Sequence, residues 1–154
     1  MNSNENGKGR ALTALVLTDV LLLVAQYALG MYVNLFVQFP DSLPQGNAWA
    51  WVFSNSSVTV AHVVLGSAIV LLSIAVLGLS IAHRRALVIT SSALGLLMVL
   101  FAWLSGSDFL SRGQQDSSSY TMAIGFVAAV VLYVWQFILL FRQKSASRKQ
   151  AGER

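Results

Sequence analysis

The sequence predicts an all-α integral membrane protein, a four-helix bundle that crosses the bilayer up, down, up and down. The chain has 154 residues, of which 56% are hydrophobic and only 10% are charged, and its mean hydropathy is +0.66. Soluble domains carry about 25% charged residues, and a chain of this length buries only about two-thirds of its surface on folding. The apolar residues form four long runs, and basic residues lie at the ends of these runs. Lipid must therefore solvate the apolar surface that a small core cannot hide.

The four apolar runs define the predicted spans, which are approximately residues 12–39, 58–82, 86–105 and 120–141. Each has about 20 residues or more, enough as a helix to cross a hydrocarbon core of about 30 Å. Backbone groups in lipid must form hydrogen bonds within the segment, which makes these runs helices. The transmembrane domain is accordingly 11–141, between a cytoplasmic tail over 1–10 and a basic cytoplasmic tail over 142–154.

The basic residues predict the orientation in the cell membrane. Nine of the ten Lys and Arg residues fall in the two tails or in the tight turn at Arg84 and Arg85, and Arg112 alone falls on the other side. Since Lys and Arg are enriched in cytoplasmic loops, both termini are predicted to be cytoplasmic. The net charge of +4 is then explained by topology and does not indicate nucleic-acid binding. The absence of cysteine excludes disulfides and thiolate chemistry.

Two polar segments are predicted to be non-cytoplasmic loops, over 40–57 and 106–119. The first carries Trp49, Trp51 and Phe53 between turn-forming residues. Aromatic residues of this kind form belts at the membrane interface, where they would anchor a short in-plane segment. The alternative is that the segment is a lid over a pocket between the helix ends.

Asp19 is the main polar residue predicted near the cytoplasmic side of the membrane, roughly 10 Å deep in the first helix. Gln26 shares its helix face. A buried acid in a span is either a structural group, paired or neutral and hydrogen-bonded, or part of a proton pathway. Gln136 of the fourth helix falls near the depth of Asp19, which predicts an Asp19–Gln136 hydrogen bond.

His62 is the only histidine inside a predicted span, near the outer end of the second helix. A neutral imidazole there can ligate haem iron, or it can bond to a neighbouring helix. Met122 falls at nearly the same depth in the fourth helix, and a His/Met pair from facing helices is one way to hold a haem. The alternative for Met122 is ordinary core packing. Asn34 falls at a comparable depth and could line the same cavity, whereas no cluster of metal ligands is present.

Small residues recur on the predicted spans and indicate where the helices meet, because they let backbones approach closely in lipid. Those predicted to pack between helices are Gly66, Ser73 and Ser80 of the second span, Gly95 of the third, and Gly125 and Ala129 of the fourth.

The two halves of the chain share a pattern. QYALGMYVNLF followed by TVAHVVLG in the first half is echoed by VLFAWLSGSDFL followed by SYTMAIGF in the second. This arrangement resembles one half of the haem A synthase family, whose members contain two four-helix halves. The resemblance implies that His62 corresponds to the first haem-facing histidine and that Met122, or Thr121 in a shifted register, takes the position of the second. The chain lacks the second histidine and the loop cysteines of that family, so the resemblance implies haem binding or the bundle alone.

Three functional hypotheses follow from the sequence. The first is a non-catalytic accessory or assembly subunit, whose partners would be the lipid bilayer and other membrane subunits or a second copy of the chain. The second is a haem- or porphyrin-binding membrane protein that uses His62. The third is a proton-coupled transporter that uses Asp19.

Overall fold

The computed structural model describes residues 3–40, 48–112 and 115–152, and within them it contains helices and no strand. The predicted all-α class is therefore confirmed. The five helices are α1 (Ser3–Phe36), α2 (Ala48–Asn55), α3 (Ser57–His83), α4 (Ala86–Ser111) and α5 (Asp116–Gly152).

Four of the helices are long and apolar enough to cross a membrane, over Gly7–Phe36, Ser57–His83, Ala86–Ser111 and Asp116–Gln143. Only 22% to 28% of the most apolar window of each one is buried inside the protein. Most of these side chains therefore face outward, and water would solvate them poorly. A multi-pass membrane protein explains this surface.

The ends of α3 follow from its flanking residues. The side chain of Ser56 accepts a hydrogen bond from the Thr59 amide at 3.3 Å, which caps the N-terminus of the helix. At the other end Arg84 adopts a left-handed conformation, with φ of 58°, and its amide donates to the Ile81 carbonyl. α4 begins two residues later, so the tight turn predicted at Arg84 and Arg85 is present.

The segment 106–119, predicted as a polar loop, is mostly helical, which corrects the sequence interpretation. α4 continues to Ser111 and α5 begins at Asp116. Asp108 explains why polar residues can extend these helices. Its carboxylate accepts a hydrogen bond from Ser118 at 2.8 Å and forms an ion pair with Arg112 at 2.7 Å. Helix also extends into both predicted tails. α1 starts at Ser3, within the predicted tail over 1–10, and α5 continues to Gly152, within the predicted tail over 142–154.

The four long helices form a ring in which α1 contacts α3 and α5, and α4 contacts α3 and α5. α2 packs at one end of the ring against α3 and α4, through the buried residues Ala48 and Val52. We call this end of the bundle the α2 end. The buried core runs along the inside of the ring and comprises Leu12, Val16, Leu23, Ile69, Val76, Val88, Val99, Ala129, Tyr133 and Leu140.

Gly95 of α4 and Gly125 of α5 were both predicted at helix interfaces, and they allow these two helices to pack closely. A methyl group at Gly125 of α5 would lie 3.1 Å from the backbone nitrogen of Ala102. A methyl group at Gly95 would lie 2.7 Å from the Tyr133 ring. Ser73, Ser80 and Ala129 are fully buried, so these positions all lie where helices meet.

Candidate functional site

A cavity of about 500 Å³ lies between the long helices at the α2 end. This is a common size for a site that binds a small molecule. Its walls are largely apolar, and its floor is formed by Leu23, Ile69, Val99 and Ala129. Its aromatic lining residues are Tyr27, Phe39, Trp103, Phe109, Tyr120 and Phe126.

Gln26 of α1 and His62 of α3 form a hydrogen-bonded pair at the cavity wall. The Gln26 amide nitrogen donates to the His62 backbone carbonyl at 3.0 Å, and the same nitrogen lies 3.3 Å from Nε2 of the His62 ring. Because the carbonyl is an acceptor only, it fixes which end of the amide faces His62. Both amide hydrogens are then used, and Nε2 of His62 is the acceptor of the second.

The pair leaves one donor and one acceptor without a partner. Since Nε2 accepts, the neutral ring carries its proton on Nδ1, and this atom is buried without a hydrogen bond. Oε1 of Gln26 is likewise buried without a partner. Unpaired buried polar atoms are costly and call for an explanation. Both side chains line the cavity, so a bound molecule could satisfy them. We call the pair of Gln26 and His62 the polar clamp.

Two glycines make room for the polar clamp. A methyl group at Gly30 of α1 would lie 2.9 Å from Cε1 of His62, and one at Gly66 of α3 would lie 2.9 Å from Nε2 of Gln26. Each helix thus carries a polar residue and, four residues later, a glycine that receives the polar residue of the other helix. This reciprocal spacing is visible in the sequence, where Gly66 alone of the two glycines was predicted as a helix-packing residue.

The remaining residues predicted at the outer side also surround the cavity. Asn34 and Met122 both line it, from α1 and α5. Met122 approaches Gly106, where an added methyl group would lie 3.1 Å from its sulfur. Trp103 donates from its ring nitrogen to the Ser67 hydroxyl at 3.2 Å. Asn34, Trp103 and Met122 therefore belong to one cavity wall. Together with the polar clamp we call it the cavity layer.

α2 lies beside this cavity. The ring of Trp51 contacts that of Phe39 at a centroid distance of 5.4 Å, and Phe39 contacts Phe109 at 6.0 Å. Phe39 and Phe109 both line the cavity. An aromatic chain thus connects α2 to the cavity wall.

A second polar group lies deeper in the bundle, where Asp19 and Gln136 are both fully buried. Asp19 accepts a hydrogen bond from Ser73 at 3.0 Å. Gln136 donates instead to Ser80 at 3.1 Å and to Ser92 at 2.7 Å. The predicted Asp19–Gln136 hydrogen bond is therefore wrong, because serines of α3 and α4 occupy the positions beside each residue.

Tyr133 belongs to this second group and was not identified from the sequence. It is fully buried, its ring packs on Gly95, and its hydroxyl has no hydrogen-bond partner. Its spacing from Ala129 and Gln136 places it on the same helix face, which is the signal that could have revealed it. We call Asp19, Ser73, Ser80, Ser92, Tyr133 and Gln136 the serine layer.

One helical turn of apolar residues separates the two layers. The cavity floor residues Leu23 and Ile69 each lie four residues from a member of the serine layer, Asp19 and Ser73 respectively. Ala129 has the same spacing from Tyr133. These floor residues are almost completely buried, and no member of the serine layer lines the cavity.

Acidic, histidine and cysteine side chains do not cluster in the described part of the chain in a way that could hold a metal ion. No protein-family model, curated protein or solved structure matches the chain. The geometry of the cavity and its polar clamp is therefore the basis for a functional proposal.

Proposed function

We propose that this chain is a non-catalytic accessory protein of the cell membrane that binds an amphiphilic small molecule in the cavity at the α2 end. One observation carries the proposal. The polar clamp presents an unpartnered donor, Nδ1 of His62, and an unpartnered acceptor, Oε1 of Gln26, beside a largely apolar cavity of about 500 Å³. Apolar walls with a few convergent polar groups are typical of ligand sites.

The proposal includes an up-down-up-down arrangement with both termini cytoplasmic. Two contacts between α1 and α3 support it. Asp19 pairs with Ser73, and Gln26, which follows Asp19 in α1, pairs with His62, which precedes Ser73 in α3. Pairs in this order are expected of antiparallel helices. The distribution of basic residues supports the orientation. The cavity would then open towards the non-cytoplasmic side.

Native mass spectrometry of the purified protein with para-nonylphenol tests the binding proposal. This probe combines an apolar body with one polar head, and we expect one molecule to remain bound. Ala102 lines the cavity, so Ala102→Phe would fill part of it and should weaken binding about tenfold, or about 1.4 kcal/mol. Ala82→Phe is the matched control at an exposed position outside the cavity. Equal binding by both variants, or no binding by the unmodified protein, would reject the proposal.

A haem-binding role is the second candidate, and one observation favours it. His62 and Met122 line the same cavity from α3 and α5, as the resemblance to one half of the haem A synthase family implies. A haem iron would take a lone pair of the imidazole. Since Nε2 of His62 faces the Gln26 amide, Gln26 would have to turn away.

An absorbance spectrum after haem addition separates this candidate from the first. Haem ligation predicts a Soret band that is lost in His62→Ala and kept in His83→Ala, since His83 lies at the opposite end of α3. A spectrum that is the same in both variants would remove the haem candidate.

A further inference from the structure

We propose that the cavity selects a neutral amphiphile with a hydroxyl head, which accepts a hydrogen bond from Nδ1 of His62 and donates one to Oε1 of Gln26. This inference rests on the proposed function and names the ligand class. A hydroxyl is the simplest group that is both donor and acceptor. The head would satisfy both atoms that the protein leaves without partners.

The donor and acceptor roles follow from the backbone. The His62 carbonyl fixes the amide of Gln26 through its 3.0 Å hydrogen bond, so Oε1 cannot exchange places with the amide nitrogen. The amide then makes Nε2 of His62 an acceptor and puts the ring proton on Nδ1. The two side chains are held 3.3 Å apart at their Nε2 atoms, and both of them line the cavity.

The charge of the cavity does not favour an anionic head group. Among the described residues that line it, Asp116 is the only acid, and no Lys or Arg is present. A carboxylate or phosphate head would therefore lose its hydration without gaining a cation, which is costly in an apolar site. An ether or hydrocarbon head would leave the Gln26 oxygen without a donor.

The walls indicate the body of the ligand. Tyr27 and Phe126 stack with their ring centroids 5.6 Å apart at the cavity wall, and the floor is aliphatic. Such a surface accepts an aromatic ring or an isoprenoid or alkyl chain. Phenolic amphiphiles and long-chain alcohols share the required chemistry.

Paired probes test the head group directly. Binding of para-nonylphenol and para-nonylanisole is compared in nanodiscs by tryptophan fluorescence at equal membrane mole fractions, with empty nanodiscs subtracted. The anisole has the same body but cannot donate. We expect the phenol to bind about threefold to tenfold more tightly, the effect of one hydrogen bond. Dodecanol and dodecyl methyl ether form a second pair, and the pair with the larger ratio identifies the ligand as phenolic or aliphatic.

A variant locates the preference at the polar clamp. Gln26→Met keeps the length of the side chain but removes the acceptor, so the ratio should fall to about one. Gln143→Met is the matched control, because Gln143 pairs with His83 at 3.3 Å outside the cavity, and it should keep the ratio of the unmodified protein. If Gln26→Met fails to fold, the comparison of phenol with anisole in the unmodified protein still tests whether the cavity prefers a hydroxyl head.

The outcomes separate the two proposals. Equal binding of phenol and anisole would overturn the hydroxyl inference and leave the cavity proposal standing. Failure of all four probes to bind would overturn the cavity proposal itself. Preference for the phenol that persists in Gln26→Met would place the selection outside the polar clamp and also contradict the inference.

Discussion

The cavity layer and the serine layer both contain buried polar atoms without hydrogen-bond partners, yet they differ in what surrounds those atoms. The free atoms of the polar clamp belong to side chains that line a cavity of about 500 Å³. Those of Asp19, Tyr133 and Gln136 belong to side chains that are fully buried and do not line it. A ligand can therefore relieve the cost of unpaired groups in the first layer only.

The same difference appears in the glycines of the two layers. Gly30 faces the tip of the His62 ring, and His62 borders a cavity into which it can move. Gly95 faces the Tyr133 ring, which is fully buried and has no such space. Close packing makes interiors intolerant of added volume, so equal substitutions should have unequal effects in the two layers.

The largest effect is expected for Gly95→Ala in the serine layer. The new methyl group would lie 2.7 Å from Cζ of Tyr133, so the ring or the helices must shift. Overpacking of this kind costs about 1–3 kcal/mol, measured as the free energy of unfolding in mixed micelles. Gly78→Ala is the control, because nothing lies within 4 Å of its added methyl group. It should leave stability unchanged or raise it by up to about 1 kcal/mol. Equal effects of the two substitutions would show that the serine layer is not tightly packed.

Tyr133→Phe should have the next largest effect and the opposite sign. The substitution removes a buried hydroxyl that has no hydrogen-bond partner and keeps the ring on Gly95. Leaving such a group unpaired costs about 1–3 kcal/mol, so we expect the free energy of unfolding to rise by about 1 kcal/mol. Tyr120→Phe, at a side chain that is 68% exposed, should change nothing. A loss of stability in Tyr133→Phe would mean that the hydroxyl has a partner in the membrane, for which the neighbouring Ser73 hydroxyl is the first candidate.

The sequence predicts the cavity layer better than the serine layer, and the reason is physical. His62, Asn34 and Met122 are rare polar or polarisable residues predicted at one depth, so the sequence groups them, whereas it groups Gln26 with Asp19. The hydrogen bonds of Gln136 depend on how α3 and α4 are rotated about their axes, which apolar periodicity leaves open when most of each helix faces lipid. Because the helices are apolar on all sides, the sequence shows where the four spans lie. For the same reason it does not show how each helix is rotated about its axis.

The ends of two helices were also predicted incorrectly from the sequence. Polar residues after Ser105 indicated a loop, yet Asp108 stabilises a further helical turn by binding Ser118 and Arg112. Arg112 directly follows α4, whereas Ser118 belongs to α5. A polar run can therefore extend a helix past the apolar span when its side chains bond to one another.

A smaller effect on stability is expected for Gly30→Ala in the cavity layer. The added methyl group would lie 2.9 Å from Cε1 of His62, but this ring borders the cavity and can turn into it. We expect a stability change below about 1 kcal/mol, partly offset by the better helix propensity of alanine. Binding of para-nonylphenol should weaken because the ring would occupy the ligand position. A stability loss as large as that of Gly95→Ala would show that the polar clamp is as rigid as the serine layer.

The smallest effect is expected for Asp19→Asn on proton flux. A transporter centred on Asp19 needs a polar route to both faces of the membrane. In this structure Leu23, Ile69, Val99 and Ala129 close one side of the serine layer, and Ser73 already occupies one carboxylate oxygen of Asp19. Proteoliposomes that enclose a pH-sensitive dye should therefore show equal proton flux with the unmodified protein and with Asp19→Asn. A flux that requires Asp19 would instead mean that the apolar turn between the layers opens, and that the two layers act as parts of one pathway.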